Sequence, residues 1–180
     1  MIEDCLKLKF AIYYITTDAA KTFDDLFHNV NGIADSFAQY WGVVANYFKD
    51  FPNVIGYDII NEPITASPYR SLYEFAFPNV GNNKNLLGLY KKVNAEIRKY
   101  DNNKILFFEP GTTDLLGAGF NDSPGGVEFR DREIYSYHIY CFYVDDFSIP
   151  KDKNICAYYF YTIYRAMDTF FFESKERVAR

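Results

Sequence analysis

The chain has 180 residues, with 24 acidic against 19 basic side chains and a formal net charge of −5 at neutral pH. That is enough for one domain or most of one, and the acidic balance argues against a nucleic-acid partner. Apolar residues make up 49% and aromatic residues 20%, with 17 Tyr and 18 Phe beside a single Trp, which excludes a disordered chain and supplies material for a packed core.

No stretch comes near the roughly 18 to 20 uninterrupted apolar residues that span a bilayer, so no transmembrane segment is expected. Met1–Phe10 mixes Glu3, Asp4, Lys7 and Lys9 into its apolar positions and reads as neither a membrane helix nor a secretory signal. From Thr22 to Lys49, apolar residues recur at helical three- and four-residue steps. Asn31-Gly32 interrupts them, giving a short helix near 19–28 and a longer one near 33–49 that closes at Asp50-Phe51-Pro52-Asn53. The period then changes. Val54–Ile60 is a short β-rich run, and 63–84, with three prolines and no sustained period, reads as a long functional loop with room for a helical turn.

Leu86, Leu89, Tyr90, Val93, Ile97 and Tyr100 form the apolar face of the next helix, which Asp101-Asn102-Asn103 ends. Lys104–Glu109 is a second strand, 110–132 a Gly/Pro/Asp-rich loop, Ile134–Tyr140 a third strand, and about 154–180 a closing helix crowded with Tyr and Phe. Helices alternating with strands in this order predict an α/β fold with parallel strands, because each crossover is long. Three strands make an incomplete sheet, which points to a piece of something larger.

Cys5, Cys141 and Cys156 are an odd number without zinc-type spacing, so no metal site is expected. Asn121-Asp122-Ser123 is a glycosylation sequon weakened by the following Pro124. His28 has a surface or capping role, Gly117-Ala118-Gly119 lacks the setting of a phosphate loop, and Glu173 and Glu176 belong to a solvated, charged tail. Asn61-Glu62-Pro63 carries the sharpest chemical signal: Pro63 ends the first strand just after a carboxylate, and in a β/α barrel a carboxylate at that strand end is more often catalytic than structural. Counting back from Glu62 by the period of two puts Ile60, Asp58 and Gly56 on the barrel side and Ile59, Tyr57 and Ile55 on the helix side. Asp58 is then expected to be a buried, structural charge.

Gly56-Tyr57-Asp58-Ile59-Ile60-Asn61-Glu62-Pro63, preceded by Phe51-Pro52-Asn53-Val54-Ile55, resembles the acid/base strand of the glycoside hydrolase family 5 enzymes. Phe37-Ala38-Gln39-Tyr40-Trp41, Phe107-Phe108-Glu109-Pro110, Ser123-Pro124-Gly125-Gly126 and Tyr137-His138-Ile139-Tyr140-Cys141 extend the resemblance to the endoglycoceramidase-like branch, over roughly residues 10 to 170. The resemblance implies a partial (β/α)8 TIM barrel, about strands four to six with their helices. It makes Glu62 the general acid/base and Asn61 the ligand of the hydroxyl next to the anomeric carbon. His138 and Tyr140 would line the site, and Glu109 would bind substrate or support it.

By the same resemblance residues 1–180 form part of a catalytic domain, lacking the first strands and the strand that bears the nucleophile, so the isolated chain is expected to be inactive. The implied substrate is a glycoside, in particular a glycosphingolipid. No cofactor is implied, and the family suggests a secreted or lysosomal enzyme. The sequence sets no oligomeric state. Two other readings are a cellulase-like β-glucanase of the same family and a non-catalytic carbohydrate- or glycolipid-binding remnant.

Overall fold

The computed structural model describes residues 13–112, 114, 119–136 and 138. The chain falls into two compact units, Met1–Thr113 with Gly119–Tyr137, and Asp114–Ala118 with His138–Arg180. Nearly all the described residues lie in the first.

Helix α1, Thr17–Phe27, ends at His28, whose backbone N–H donates to the Asp24 carbonyl and whose ring Nδ1 lies 2.7 Å from the same oxygen. This is the capping role expected of it. Asn29 (φ 51°), Asn31 (φ 53°) and Gly32 (φ 78°) are all left-handed and build a 3-10 turn, Val30–Gly32, from the residue types that tolerate that region. Asn29 Oδ1 accepts the N–H groups of Ala34 and Asp35 at 2.9 and 3.1 Å and so satisfies donors that the start of helix α2, Ile33–Phe48, leaves open.

The buried residues of α2 are all small: Ala34, Ala38, Gly42 and Ala45. That stripe packs on a later helix, Leu87–Ile97. A Cβ added at Gly42 would lie 2.9 Å from Glu96 Cγ and 3.1 Å from Tyr100 Cε2, so glycine sets how closely the two helices approach.

Strand β1, Gly56–Asp58, is followed by a packed segment in which Pro63 to Ser67 are all buried. The expected 63–84 loop holds more helix than its irregular period suggested: α3, Leu72–Ala76, α4, Pro78–Gly81, and a π turn, Asn82–Leu86, that runs into α5, Leu87–Ile97. The signals were local. Ser71 accepts the Glu74 N–H at the start of α3, as in a Ser-x-x-Glu capping box, and Pro78 occupies the first turn of α4. Strand β2, Ile105–Phe108, comes next, then one turn of helix, α6, Gly126–Phe129, and strand β3, Glu133–Tyr135.

The three strands form one parallel sheet in the order β1-β2-β3. Tyr57 pairs with Leu106 and Phe108 with Tyr135. Tyr57, Ile59, Leu106 and Phe108 join Leu89, Tyr90, Val93 and Ile97 of α5 and the small residues of α2 in a single core. The predicted alternation holds along β1, with Tyr57 and Ile59 buried, but Asp58 is exposed. The expectation of a buried Asp58 is therefore corrected: its face of the sheet is not covered by the described residues. Of the expected third strand, 134–140, the described residues show Glu133–Tyr135 as strand, and 137, 139 and 140 lie outside them. Its pairing extends to Ser136, whose N–H donates to the Phe108 carbonyl at 2.9 Å. The expected closing helix, the three cysteines and Tyr140 lie outside the described residues, among which no helix is long and apolar enough to cross a membrane.

The turn from α5 into β2 is tied to the sheet by a buried polar cluster. Asp101, 3% exposed, accepts the Asn103 and Lys104 N–H groups at 2.9 and 3.0 Å through Oδ1 and the Tyr57 hydroxyl at 2.7 Å through Oδ2. Burial, the largest single influence on this carboxyl, works to raise its pKa, but those hydrogen bonds outweigh it and hold the group below the ordinary aspartate range.

Candidate active site

Of the residues singled out by the sequence, Asn61, Glu62 and Glu109 lie just past the ends of β1 and β2. The ladder between the strands pairs Asp58 with Phe107, and Ile59 adds one further bond to the Phe107 carbonyl at 3.4 Å. Past that point the two segments are joined by side chains and by one main-chain bond from Thr112 to Pro63. Glu62 is half-buried and Asn61 exposed. Glu62 has φ 44°, a left-handed backbone that a side chain of its length rarely adopts. Such conformations persist where surrounding contacts over-determine them, and they concentrate at functional sites.

The contacts that hold Glu62 come from the segment after β2. Glu109 is 2% exposed, and its Oε2 accepts the Glu62 N–H at 2.8 Å. Thr112 Oγ1 donates to the Glu62 carbonyl at 2.6 Å, and the Thr112 N–H donates to the Pro63 carbonyl at 2.8 Å. The holding segment is itself held: the Tyr90 hydroxyl of α5 donates to the Glu109 carbonyl at 2.9 Å, and Gly111 N–H donates to Asn82 Oδ1 at 2.8 Å. A Cβ at Gly111 would fall 2.0 Å from Thr65 Cγ2, so only glycine lets this segment lie against the chain that follows Glu62.

Tyr14 is electrostatically coupled to Glu62 and Glu109, a link that sequence reasoning missed. Its ring stacks on Phe23 at 5.9 Å between centroids, and the carbonyl of its neighbour Ile15 accepts the Tyr69 hydroxyl at 2.8 Å. Burial raises the Tyr14 phenol pKa, and the negative charges of Glu62 and Glu109 raise it further. The protonated phenol is available as a hydrogen-bond donor. Nothing in the sequence near Tyr14 announces this, because the coupling joins segments far apart in the chain.

Of the remaining expected site residues, His138 is an exposed residue of the second unit, and Tyr140 lies outside the described residues. Among the described residues no group of three or more His, Cys, Asp and Glu side chains could hold a metal ion. What the geometry assembles is a half-buried carboxylate on a pinned main chain and a buried carboxylate behind it, with a phenol whose ionisation both charges oppose. That set can move a proton and orient a polar ligand.

The family model described as cellulase (glycosyl hydrolase family 5) matches residues 12–173. The chain belongs to glycosyl hydrolase family 5. Membership implies a TIM barrel, of which the described residues supply three adjacent parallel strands and their helices. Among curated proteins this family 5 chain is 38% identical over 138 residues to an endoglycoceramidase of Hydra vulgaris, covering 77% of the chain and 26% of that protein, and 38% identical to an endoglycoceramidase of Cyanea nozakii, covering 77% and 27%. The chain thus spans about a quarter of the length of the curated relatives it matches.

Among solved structures it is similar in fold to endo-glycoceramidase II from Rhodococcus sp., with a TM-score of 0.65 at 21% identity, covering 89% of this chain and 35% of that one. It is also similar to an endogalactoceramidase, with a TM-score of 0.55 at 21% identity over 84% of this chain and 31% of that one.

Proposed function

We propose that the whole protein hydrolyses the β-glycosidic bond between oligosaccharide and ceramide in a glycosphingolipid, with retention of configuration, and that β1 to β3 are the fourth to sixth strands of its (β/α)8 barrel. The observation that carries the reading is Glu62 itself: a half-buried carboxylate just past the end of a parallel strand, on a left-handed backbone held by neighbours. In a barrel that strand end faces the active site.

In the first step Glu62 gives its proton to the glycosidic oxygen. The bond from that oxygen to the anomeric carbon breaks, and a second carboxylate bonds to the carbon as a glycosyl ester. In the second step the Glu62 carboxylate takes a proton from water, whose oxygen displaces the ester. Neither step calls for a metal or an organic cofactor. Retention needs the two carboxyl groups about 5 Å apart. Since Glu109 is engaged with the Glu62 main chain, the nucleophile is assigned to residues beyond those described. Asn61 is the proposed ligand of the hydroxyl beside the anomeric carbon, and His138 and Tyr140 the further lining.

A lipid-bearing substrate is favoured by the two endoglycoceramidase relatives and by exposed apolar side chains on the segment after Glu62. Tyr69, Leu72, Tyr73 and Phe77 follow it in the chain, and Ile15 is tied to Tyr69; clustered exposure of this kind marks contact surfaces. A Rhodococcus sp. endo-glycoceramidase II structure is described as a ganglioside GM3 complex and another as a lactosyl-enzyme intermediate.

The test is Glu62→Gln in the whole protein. Turnover of a glycosphingolipid should fall by about 10²- to 10⁴-fold with the fold retained, and an aryl glycoside whose leaving group needs no proton should lose much less. Near-wild-type hydrolysis of the glycolipid would remove Glu62 from the mechanism. Preference for a soluble β-glucan over the glycolipid would favour the cellulase-like alternative.

A further inference from the structure

We propose that Glu109 and Thr112 are positioning residues that form a clamp on the Glu62 peptide and thereby aim the Glu62 side chain. The inference rests on the reading of Glu62 as the acid/base for its catalytic consequence, but not for the clamp. Glu62 sits beyond the last rung of the β1–β2 ladder, where no strand pairing fixes its backbone. A positive φ in a glutamate relaxes unless something holds it, and both hydrogen-bonding groups of the residue are held: the N–H by Glu109 Oε2 at 2.8 Å and the carbonyl by Thr112 Oγ1 at 2.6 Å. Thr112 also accounts for the next carbonyl, its N–H donating to Pro63 at 2.8 Å.

The clamp is rigid because each part is anchored away from the site. The Tyr90 hydroxyl fixes the Glu109 carbonyl, Asn82 fixes Gly111 N–H, and Tyr90 and Asn82 are both fully buried. Displacing the Glu62 peptide therefore requires moving core side chains of α5 and of the π turn before it. A carboxylate is suited to the first contact, since a hydrogen bond from a backbone N–H to an ionised acceptor is roughly twice as strong as a neutral one. Glu109-Pro110 is then a support placed behind the acid/base, and the short side chain at 112 closes the other half.

The experiment uses amide hydrogen exchange and the HN–Hα coupling of Glu62 in the full chain, with Glu109→Leu, Glu109→Gln and Thr112→Val. Exchange at Glu62 should accelerate by roughly tenfold or more in Glu109→Leu, and the coupling should move away from its left-handed value. Glu109→Gln, which keeps an acceptor oxygen, should retain most of the protection. Thr112 is exposed, so Thr112→Val should fold even if Glu109→Leu does not, and it too should change the coupling. Where glycolipid turnover is measurable, Thr112→Val should lower kcat by about 10- to 100-fold with little change in KM, because Glu62 is misaimed and not removed.

Unchanged exchange and coupling in Glu109→Leu and Thr112→Val would overturn the clamp. Altered coupling together with near-wild-type hydrolysis by Glu62→Gln would uphold the clamp and discard the acid/base reading.

Discussion

Replacing Tyr57 by Phe isolates one buried interaction with little else changed. The ring remains, with its edge-to-face contact to Trp41 at 6.4 Å, so no cavity opens. What is lost is the 2.7 Å bond from the Tyr57 hydroxyl to Asp101 Oδ2 and a marginal 3.4 Å contact to the Ala45 carbonyl. Both Tyr57 and Asp101 are only 3% exposed, so solvent is not at hand to replace the donor. A hydrogen bond to a charged group is worth about 1.5–3 kcal/mol, and that is the expected loss at pH 7.

The pH dependence follows from the sign of the Asp101 shift. Its folded pKa is lowered, so its stabilisation is present above the unfolded value of about 3.9 and is lost as pH falls through the lower folded value. Phe at 57 raises the folded value toward the unfolded one, and the gap between variant and wild type should close in acid. Urea unfolding at pH 7 and near pH 3, with the cycle Tyr57→Phe, Asp101→Asn and the double variant, measures this. A loss below about 0.5 kcal/mol at pH 7, within the range of ordinary surface changes, or a gap that widens in acid, would refute it.

Tyr14 should titrate above an ordinary tyrosine by ultraviolet difference spectroscopy, and Glu62→Gln should bring its pKa down by removing one of the charges that raise it; an unmoved titration would separate Tyr14 from the site. The pKa of Glu133 is raised by burial, against the lowering effect of hydrogen bonds from Ser123 and the Gly125 N–H and of the Arg98 charge. A raised folded carboxyl keeps its contribution below the unfolded value of about 4.3 and loses it as pH rises through the folded value. Glu133→Gln should therefore gain stability relative to wild type at neutral pH more than at pH 4, as thermal melts at the two pH values would report. Gly42→Ala should stay within about 1 kcal/mol, since the helix-propensity gain offsets contacts that flexible Glu96 can relieve. Gly42→Leu should cost about 1–3 kcal/mol through overpacking, read as a lowered melting temperature.

The parts of this architecture fixed by short-range chemistry were legible from the residues. Apolar spacing gave α1, α2 and α5 to within about three residues, and Asn31-Gly32 marked the break between the first two because few other residue types accept the left-handed turns found there. Asn61-Glu62-Pro63 could be placed at a strand end because proline stops a ladder. The capping box at Ser71 and Glu74 was equally readable, yet it was hidden by the prolines and asparagines around it. Interactions between distant segments could not be read this way: no local pattern says that the Glu109 carboxylate reaches the Glu62 N–H or that both charges act on the Tyr14 phenol. Asp58 shows the reverse case, in which the parity along the strand was right and the burial inferred from it was not, because burial depends on what covers a face and parity only says which face it is.

The small-residue stripe of α2 has a further consequence. Its opposite side carries Ile33, Tyr40, Val43 and Tyr47, all exposed, so the cylinder is lopsided, thin where it meets α5 and thick elsewhere. Rolling it about its axis would drive a tyrosine into a gap sized for alanine and prise the layer apart by several ångströms, given interaxial distances of about 8–10 Å. The helix is therefore keyed like a shaft with one flat side: it seats in a single orientation, and the turn at Asn29–Gly32 inherits its direction from that seating.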